Sequence, residues 1–501
     1  MYAAAKTDRA RIDGLAIFAA AAFLTGLGLV AALARVGAPD RLVEALGPLV
    51  ALVGLAIIGV MNRTARHVDF LAARRAIPPA YGGLAFAAAA LGLAVALGAG
   101  PSGRSLLPWP AVAVGLVGAA LIVGPLVRRA NASALSDVLA TRFPWAPTRW
   151  ALAVALWCAG VLTATAGFET AVDVIVADVG QSRRAAEVVV ALSLALSIVP
   201  GGLKGLLWSD AASAGGALAI AAIGAGLAWS GVGAPAPSLA QTAAAWFALP
   251  LARPDLASLL FGAASALGVG ALFAFPQAAV GAPPMQARRV GLFGLAFALA
   301  ALALGATALA AFWPESTTAR SPTAAAFAGA ATWLPALALA RAGVFGAARA
   351  AGVDLATAYS RLTVLASQRL ARIRLMMLGV IALAAVVSDH RLVDPARAIV
   401  LALGLIVALI VPSMALALLS RGRSSAALAA LAAGLAALAW RVLPAGPSAN
   451  AGEILIGALV AGAAALLVGA VVGVIAPGAA GAQKTGARAD PFIDLPFAAM
   501  D

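Results

Sequence analysis

Charged side chains, histidine and cysteine are all scarce in this sequence. Of its 501 residues 11% are charged, Cys158 is the only cysteine, and His67 and His390 are the only histidines. A single thiol excludes an intramolecular disulfide and a thiolate metal cluster, and two histidines argue against catalytic zinc. The sequence therefore predicts no cofactor, and no acid/base pair or nucleophile constellation indicates an enzyme.

Apolar residues dominate instead. They make up 63% of the chain, and the mean hydropathy of +1.00 exceeds that of soluble domains. This composition predicts a membrane protein surrounded by a lipid bilayer. The net charge of +14 does not indicate nucleic-acid binding, because the basic residues are scattered through short loops between apolar runs.

Apolar windows long enough to cross a bilayer recur along the chain, with polar breaks between them. A transmembrane helix needs about 20 apolar residues. The windows are 14–34, 45–61, 81–99, 107–127, 150–172, 185–200, 208–229, 256–275, 290–313, 332–365, 374–388, 396–418, 425–440 and 453–475. The sequence thus predicts an all-α polytopic membrane protein with about 14 transmembrane helices.

The distribution of basic residues predicts how these windows are oriented across the membrane. Cytoplasmic loops carry an excess of Lys and Arg. With alternating windows, 22 of the 34 basic residues fall on the N-terminal side of the membrane, 10 on the opposite side and 2 within a window. We therefore expect a multi-pass protein of the cytoplasmic (inner) membrane with both termini in the cytoplasm.

Four polar segments between the windows carry a family resemblance. They are 69–79 (DFLAARRAIPP), 124–143 (GPLVRRANASALSDVLATRF), 201–210 (GGLKGLLWSD), and 275–277 (FPQ) followed by 287–289 (ARR). In order and membrane side they resemble signature segments of the sodium/solute symporter family, particularly its acetate- and monocarboxylate-permease-like branch.

This resemblance implies a division of the chain around a 5+5 inverted-repeat transporter core. Residues 1–77 would form two peripheral helices, 78–418 the core, 419–477 two C-terminal helices, and 478–501 a disordered cytoplasmic tail. Transporters of this kind interrupt the first helix of each repeat near the midplane. Gly92 in the third window and Gly268 in the eighth are candidate interruptions, with plain helix packing as the alternative for each glycine.

The same resemblance implies where a sodium ion would bind. In the family, the first core helix contributes an acidic residue and serines, and a later core helix contributes a Ser-Thr pair. Ala89 and Gly92 stand at the first set of positions, and Ala356 and Thr357 at the second. Only Thr357 offers a side-chain oxygen, which is the ligand type sodium prefers, so sodium coupling is in doubt.

The tenth window contains Arg341, Arg349 and Asp354. An intramembrane charge costs about 3 kcal/mol on insertion scales and therefore needs a partner or water. Arg349 lies about two turns before Thr357, so its guanidinium could replace a coupling ion or bind an anionic solute. In the structural alternative, Arg349 and Asp354 satisfy each other or a neighbouring carbonyl, while Arg341 reaches the outer interface.

Three further carboxylates are candidates. Asp210 begins the seventh window, where capping of the helix is the first interpretation and a cation exit path, by resemblance, the second. Glu169 and Asp173 share one helix face near its outer end. They could form a proton relay, with solvation at the headgroups as the alternative.

Two functions follow from these observations. The first is secondary active transport of a small organic solute, with a carboxylate as the candidate, sodium coupling in doubt, and Na⁺ or H⁺ as possible coupling ions. The second is a sensor or partner membrane module that keeps the symporter scaffold without transporting anything.

Overall fold

A computed structural model describes residues 21–97, 109–129, 132, 134–229, 256–312, 322–355, 366–419, 424–445 and 450–475. Within these ranges all regular structure is helical. The predicted tail at 478–501 lies outside the described residues.

Eight helices form the first part of the chain. They are α1 (Ala21–Arg35), α2 (Asp40–Met61), α3 (His67–Ala72), α4 (Pro79–Ala96), α5 (Trp109–Gly118, continued by Ala119–Val123 and Gly124–Arg129), α6 (Leu135–Arg142), α7 (Ala146–Val179) and α8 (Arg183–Ile198). Several starts have local causes. Proline opens α4 at its first position, where the missing N–H has no helical partner to lose, and the Ser182 hydroxyl accepts a hydrogen bond from the backbone N–H of Ala185 at the start of α8.

Nine helices follow. They are α9 (Leu203–Trp229), α10 (Leu256–Ala271), α11 (Ala274–Val280), α12 (Ala287–Phe312), α13 (Pro322–Arg349, continued by Ala350–Leu355), α14 (Ala366–Asp389), α15 (Pro395–Leu405, continued by Ile406–Ile410 and Val411–Leu419), α16 (Ser424–Ala445) and α17 (Ala451–Ile475). The continuations Ala119–Val123, Ala350–Leu355 and Ile406–Ile410 are π-helical, with hydrogen bonds from residue i to residue i+5.

The class predicted from sequence, an all-α polytopic membrane protein, is confirmed. Within the described residues, 11 helices are long and apolar enough to cross a membrane, counting α10 and α11 as one. Within the described residues every predicted window overlaps a helix, but α1 and α16 contain only shorter apolar stretches and α8 has 16 residues. The count of 14 spans stays a prediction.

The helix α13 lies at the centre of the bundle. In its membrane-crossing part 89% of the residues are buried inside the protein, against 28% in α17. It packs against α7, α4, α9 and α2. Because α13 is surrounded by protein and not by lipid, polar side chains on it meet other helices.

Close contact between α13 and α7 depends on small residues. A Cβ added at Gly343 would overlap the backbone of Ala164 and lie 2.8 Å from the carbonyl oxygen of Gly160. Such backbone-to-backbone approach is how helices associate in a bilayer, where no hydrophobic effect drives them together.

We predict that Gly343→Ala destabilises the protein by about 1–3 kcal/mol through overpacking, although alanine favours helix more than glycine does. The measurement is the melting temperature of the purified protein in detergent. The matched control is Gly379→Ala on α14, where an added Cβ has no neighbour within 4 Å. Equal melting temperatures for the two variants would contradict the predicted packing role.

Candidate functional site

One membrane-crossing helix is interrupted in the interior of the bundle. The helix α10 ends at Ala271, and α11 begins at Ala274. Across the break, the backbone N–H of Phe275 donates to the carbonyl oxygen of Leu272 at 3.2 Å. Helix ends leave backbone groups without intrahelical partners, so the break presents polar backbone inside an apolar bundle.

The interruption predicted at Gly92 is not observed. The helix α4 is continuous from Pro79 to Ala96, so Gly92 does not interrupt it. A Cβ at Gly92 would overlap the carbonyl oxygen of Pro335 and lie 2.8 Å from the Cβ of Leu339. Gly92 therefore packs α4 against α13, while Ala89 is buried on the same helix. Neither residue offers a side-chain oxygen to a cation.

A small cavity lies beside the break. Its volume is about 30 Å³, room for water-sized molecules. It is lined by Ala134, Leu135, Ser136, Leu156, Phe273, Pro276, Gln277, Phe345, Gly346, Arg349, Ala350 and Asp354. The Nε2 of Gln277 donates to the carbonyl oxygen of Ala342 at 3.4 Å, whereas its buried Oε1 has no hydrogen-bond partner within the described ranges.

Arg349 reaches the short helix α6. Its Nη2 lies 2.6 Å from Oδ2 of Asp137, and the arginine side chain is 4% exposed. Asp354 follows on the π-helical end of α13, is buried, interacts electrostatically with Arg349, and accepts a hydrogen bond from Ser136. The expected alternative of an isolated Arg349–Asp354 pair is thus replaced by a network that includes Asp137.

Arg341 makes the most deeply buried ion pair. Its Nε lies 2.7 Å from Oδ1 of Asp210 on α9, and its Nη2 donates to the Ser213 hydroxyl at 2.6 Å. The side chains of Arg341 and Asp210 are 0% and 3% exposed.

Two expectations are corrected by this pair. Arg341 does not reach the outer interface, because α13 is enclosed by protein and a carboxylate is available inside. Asp210 does not cap a helix, because α9 already begins at Leu203.

Ala356 and Thr357, the other half of the implied sodium site, lie outside the described residues. The sequence also gave no indication that Asp137 belongs to this site, since it lies 212 residues from Arg349.

Glu169 and Asp173 belong to a separate cluster at the other end of α7. Arg183 forms ion pairs with both and with Glu187, and its guanidinium also donates to the backbone carbonyl of Ser388. Glu169 is buried, so headgroup solvation does not describe it. The cluster joins α7, α8 and the end of α14.

The fold of this protein is similar to that of a solved transporter structure. A Na⁺-coupled sialic acid symporter, in a substrate-bound outward-open state, matches with a TM-score of 0.68 and 14% identity, over 87% of this chain and 98% of that one. The protein has the fold of this symporter. A manganese transporter of Eremococcus coleocola matches less well, with a TM-score of 0.45 and 13% identity, over 81% and 94% of the two chains. No family model and no curated protein matches the sequence.

We predict that Arg341→Met destabilises the protein by about 3–5 kcal/mol, because Asp210 would remain buried without a counter-charge. The double variant Arg341→Met/Asp210→Asn should recover much of that loss. Melting temperature and folded yield in detergent provide the measurement.

Arg184→Met is the control, since the Arg184–Asp389 pair is 87% and 38% exposed and such pairs contribute about 0–1 kcal/mol. A double variant no more stable than Arg341→Met would show that the charge balance of this pair is not what stabilises the structure.

Proposed function

We propose that the protein is a secondary active transporter of a small organic solute, with carboxylates as the first class to test. The observation that carries the proposal is the interrupted helix α10–α11 beside a mostly apolar cavity with a few polar side chains, within the fold of a symporter. Transporters built from repeated helix bundles bind their solutes at such breaks, where backbone groups are available near the midplane.

The lining of the cavity supports a polar solute with an apolar part. The Oε1 of Gln277 offers a hydrogen-bond acceptor, and Phe273 and Phe345 offer aromatic surface. Arg349 supplies a guanidinium, which binds carboxylates well because its donors match their geometry. Because these side chains all lie beside the helix break, they support the proposal that the cavity is part of the solute path.

Sodium coupling is not part of the proposal. Ala89 and Gly92 offer no side-chain oxygen to a cation. The buried carboxylate of Asp210 is paired with Arg341 and is therefore not available as a cation ligand. Both observations support a transporter without a sodium site at these positions.

The remaining assignments rest on sequence. We propose a location in the cytoplasmic membrane with both termini inside, from the distribution of Lys and Arg. Membership of the sodium/solute symporter family and of its acetate-permease-like branch stays a prediction, as does the absence of enzymatic activity.

A second candidate function is a sensor or partner module that keeps the scaffold without transport. The small cavity and the absence of side-chain oxygens at Ala89 and Gly92 favour it. Such a module would show no solute accumulation in closed vesicles, which separates it from the first candidate.

We predict that sodium does not stabilise the protein. A ligand that binds only the folded state raises stability by about 2.7 kcal/mol at one hundred times its dissociation constant, so a specific site would be visible in melting curves. The measurement compares melting temperatures in sodium chloride and choline chloride at equal ionic strength. A higher melting temperature specific to sodium would overturn this part of the proposal.

We further predict uptake of radiolabelled short-chain carboxylates into proteoliposomes, with the same initial rate in the presence and absence of a sodium gradient. A parallel series with an imposed proton gradient identifies proton coupling. Gln277→Met, which replaces the polar group at similar volume, should raise the apparent KM for a hydroxycarboxylate about tenfold, the effect of losing roughly one hydrogen bond from its hydroxyl to Oε1.

Arg184→Met again serves as the control for uptake, because it lies away from the cavity and its pair is exposed. No uptake of any carboxylate by folded protein would count against the transporter and favour the non-transporting module. An unchanged KM in Gln277→Met would remove this cavity from the solute path.

A further inference from the structure

The short helix α6 forms one wall of the cavity at the break. Leu135 and Ser136 line the cavity from α6, while Arg349 and Asp354 line it from α13. A second cavity of about 10 Å³ lies beside Ser136 and Asp354 and extends to Arg149. Both cavities thus share the eight-residue helix α6 as part of their lining.

The attachment of α6 is unequal along its length. At its start, Oδ2 of Asp137 accepts both the Arg349 guanidinium at 2.6 Å and the backbone N–H of Ala134 at 3.2 Å. Beyond its end, the backbone N–H of Trp145 donates to the Ser424 hydroxyl at 3.4 Å, and the Thr148 hydroxyl, already in α7, donates to the carbonyl oxygen of Ser424 at 2.9 Å. The start of α6 is therefore held by polar side chains at the cavity, whereas the chain that follows α6 is attached to the start of α16.

Arg349 faces two carboxylates on two different elements. Asp137 belongs to α6, whereas Asp354 belongs to the end of α13 itself. In an α-helix, residues five apart point about 140° away from each other, but the π-helical segment Ala350–Leu355 winds more slowly and brings them closer to one face. The guanidinium can thus change partner without leaving the protein.

We propose that α6 is the gate over the cavity and that Arg349 is its latch, bound to Asp137 when the gate is closed and to Asp354 when it is open. The inference rests on the proposed transport function, since a gate has a use only on a solute path. In both states the buried guanidinium keeps a carboxylate partner, so Arg349 itself never becomes an unpaired buried charge. Exchange of this kind lowers the free-energy difference between the two states compared with a gate that leaves Arg349 unpaired when it opens.

The test uses the full chain with Cys158→Ser and a reporter cysteine, Ala350→Cys, which lines the cavity. The rate of its modification by a charged methanethiosulfonate reagent in detergent reports opening. Asp137→Asn should raise this rate about tenfold, the effect of losing roughly one charge-assisted hydrogen bond that holds the gate. Asp354→Asn should lower it below that of the parent, because the open state loses its partner for Arg349.

Opposite responses of the two isosteric variants distinguish a latch from a merely structural network, in which both would loosen the protein. Changes in the same direction, or no change in either, overturn the proposal. Asp173→Asn, which removes an exposed partner of Arg183 in the other cluster, is the control and should leave the rate unchanged. Size-exclusion elution and melting temperature establish that each variant is folded.

The reporter needs no solute, so the two proposals fail separately. If the modification rates of Asp137→Asn and Asp354→Asn shift in opposite directions but the protein takes up no carboxylate, the result contradicts transport and supports the exchange of partners by Arg349. A second reporter, Thr332→Cys in the other half of α13, should not become more reactive in Asp137→Asn. An equal increase at both reporters would indicate general loosening and would overturn the gate.

Discussion

The buried ion pair between Arg341 and Asp210 constrains the rest of the structure. A guanidinium inside a bilayer-spanning bundle is costly unless a carboxylate balances its charge and oxygens accept from its N–H groups. Asp210 and Ser213 lie on one face of α9, so the pair fixes both the depth and the rotation of α13 against α9. With α13 held in this orientation, its small residues face α7 and α4, and its second arginine is directed towards the break in α10–α11 and towards α6.

The two arginines of α13 have different surroundings and therefore different roles. They are eight residues apart, about 12 Å along a helix. Arg341 and its partner are almost fully enclosed, whereas Asp137, the partner of Arg349, is 19% exposed on a short helix. Separating the first pair would strand two buried charges, but moving α6 exposes Asp137 to water while Arg349 still has Asp354. The Arg341–Asp210 pair is thus suited to a contact that stays formed, and the Arg349–Asp137 pair to a contact that breaks and forms again.

Much of the fold followed from sequence, because hydropathy is a local property. In the part of the chain that the structure describes, each predicted apolar window overlaps a helix, as the need to satisfy backbone hydrogen bonds in lipid requires. The partners of the charges did not follow, since Asp210 and Arg341 are 131 residues apart. The capping role expected of Asp210 depended on a helix start near residue 208, and the real start at Leu203 turned its carboxylate inward. The π-helical segment after Arg349 could not be predicted from the sequence either, because it depends on packing and not on composition.

A positive charge that belongs to the protein changes how the balance between the conformations of a transport cycle is set. In an ion-coupled symporter, binding of the ion shifts the balance between conformations, and a ligand can shift that balance only by its differential affinity for the two states. Moving an equilibrium from 1:99 to 99:1 requires about 5.5 kcal/mol, which is demanding for a small solute in a small cavity. Under the proposed mechanism, an arginine that exchanges one carboxylate for another lowers the free-energy difference between the two states before any ligand binds. The solute then needs only a modest preference for one state, and under the proposed mechanism the latch and not an ion would make such a cycle accessible.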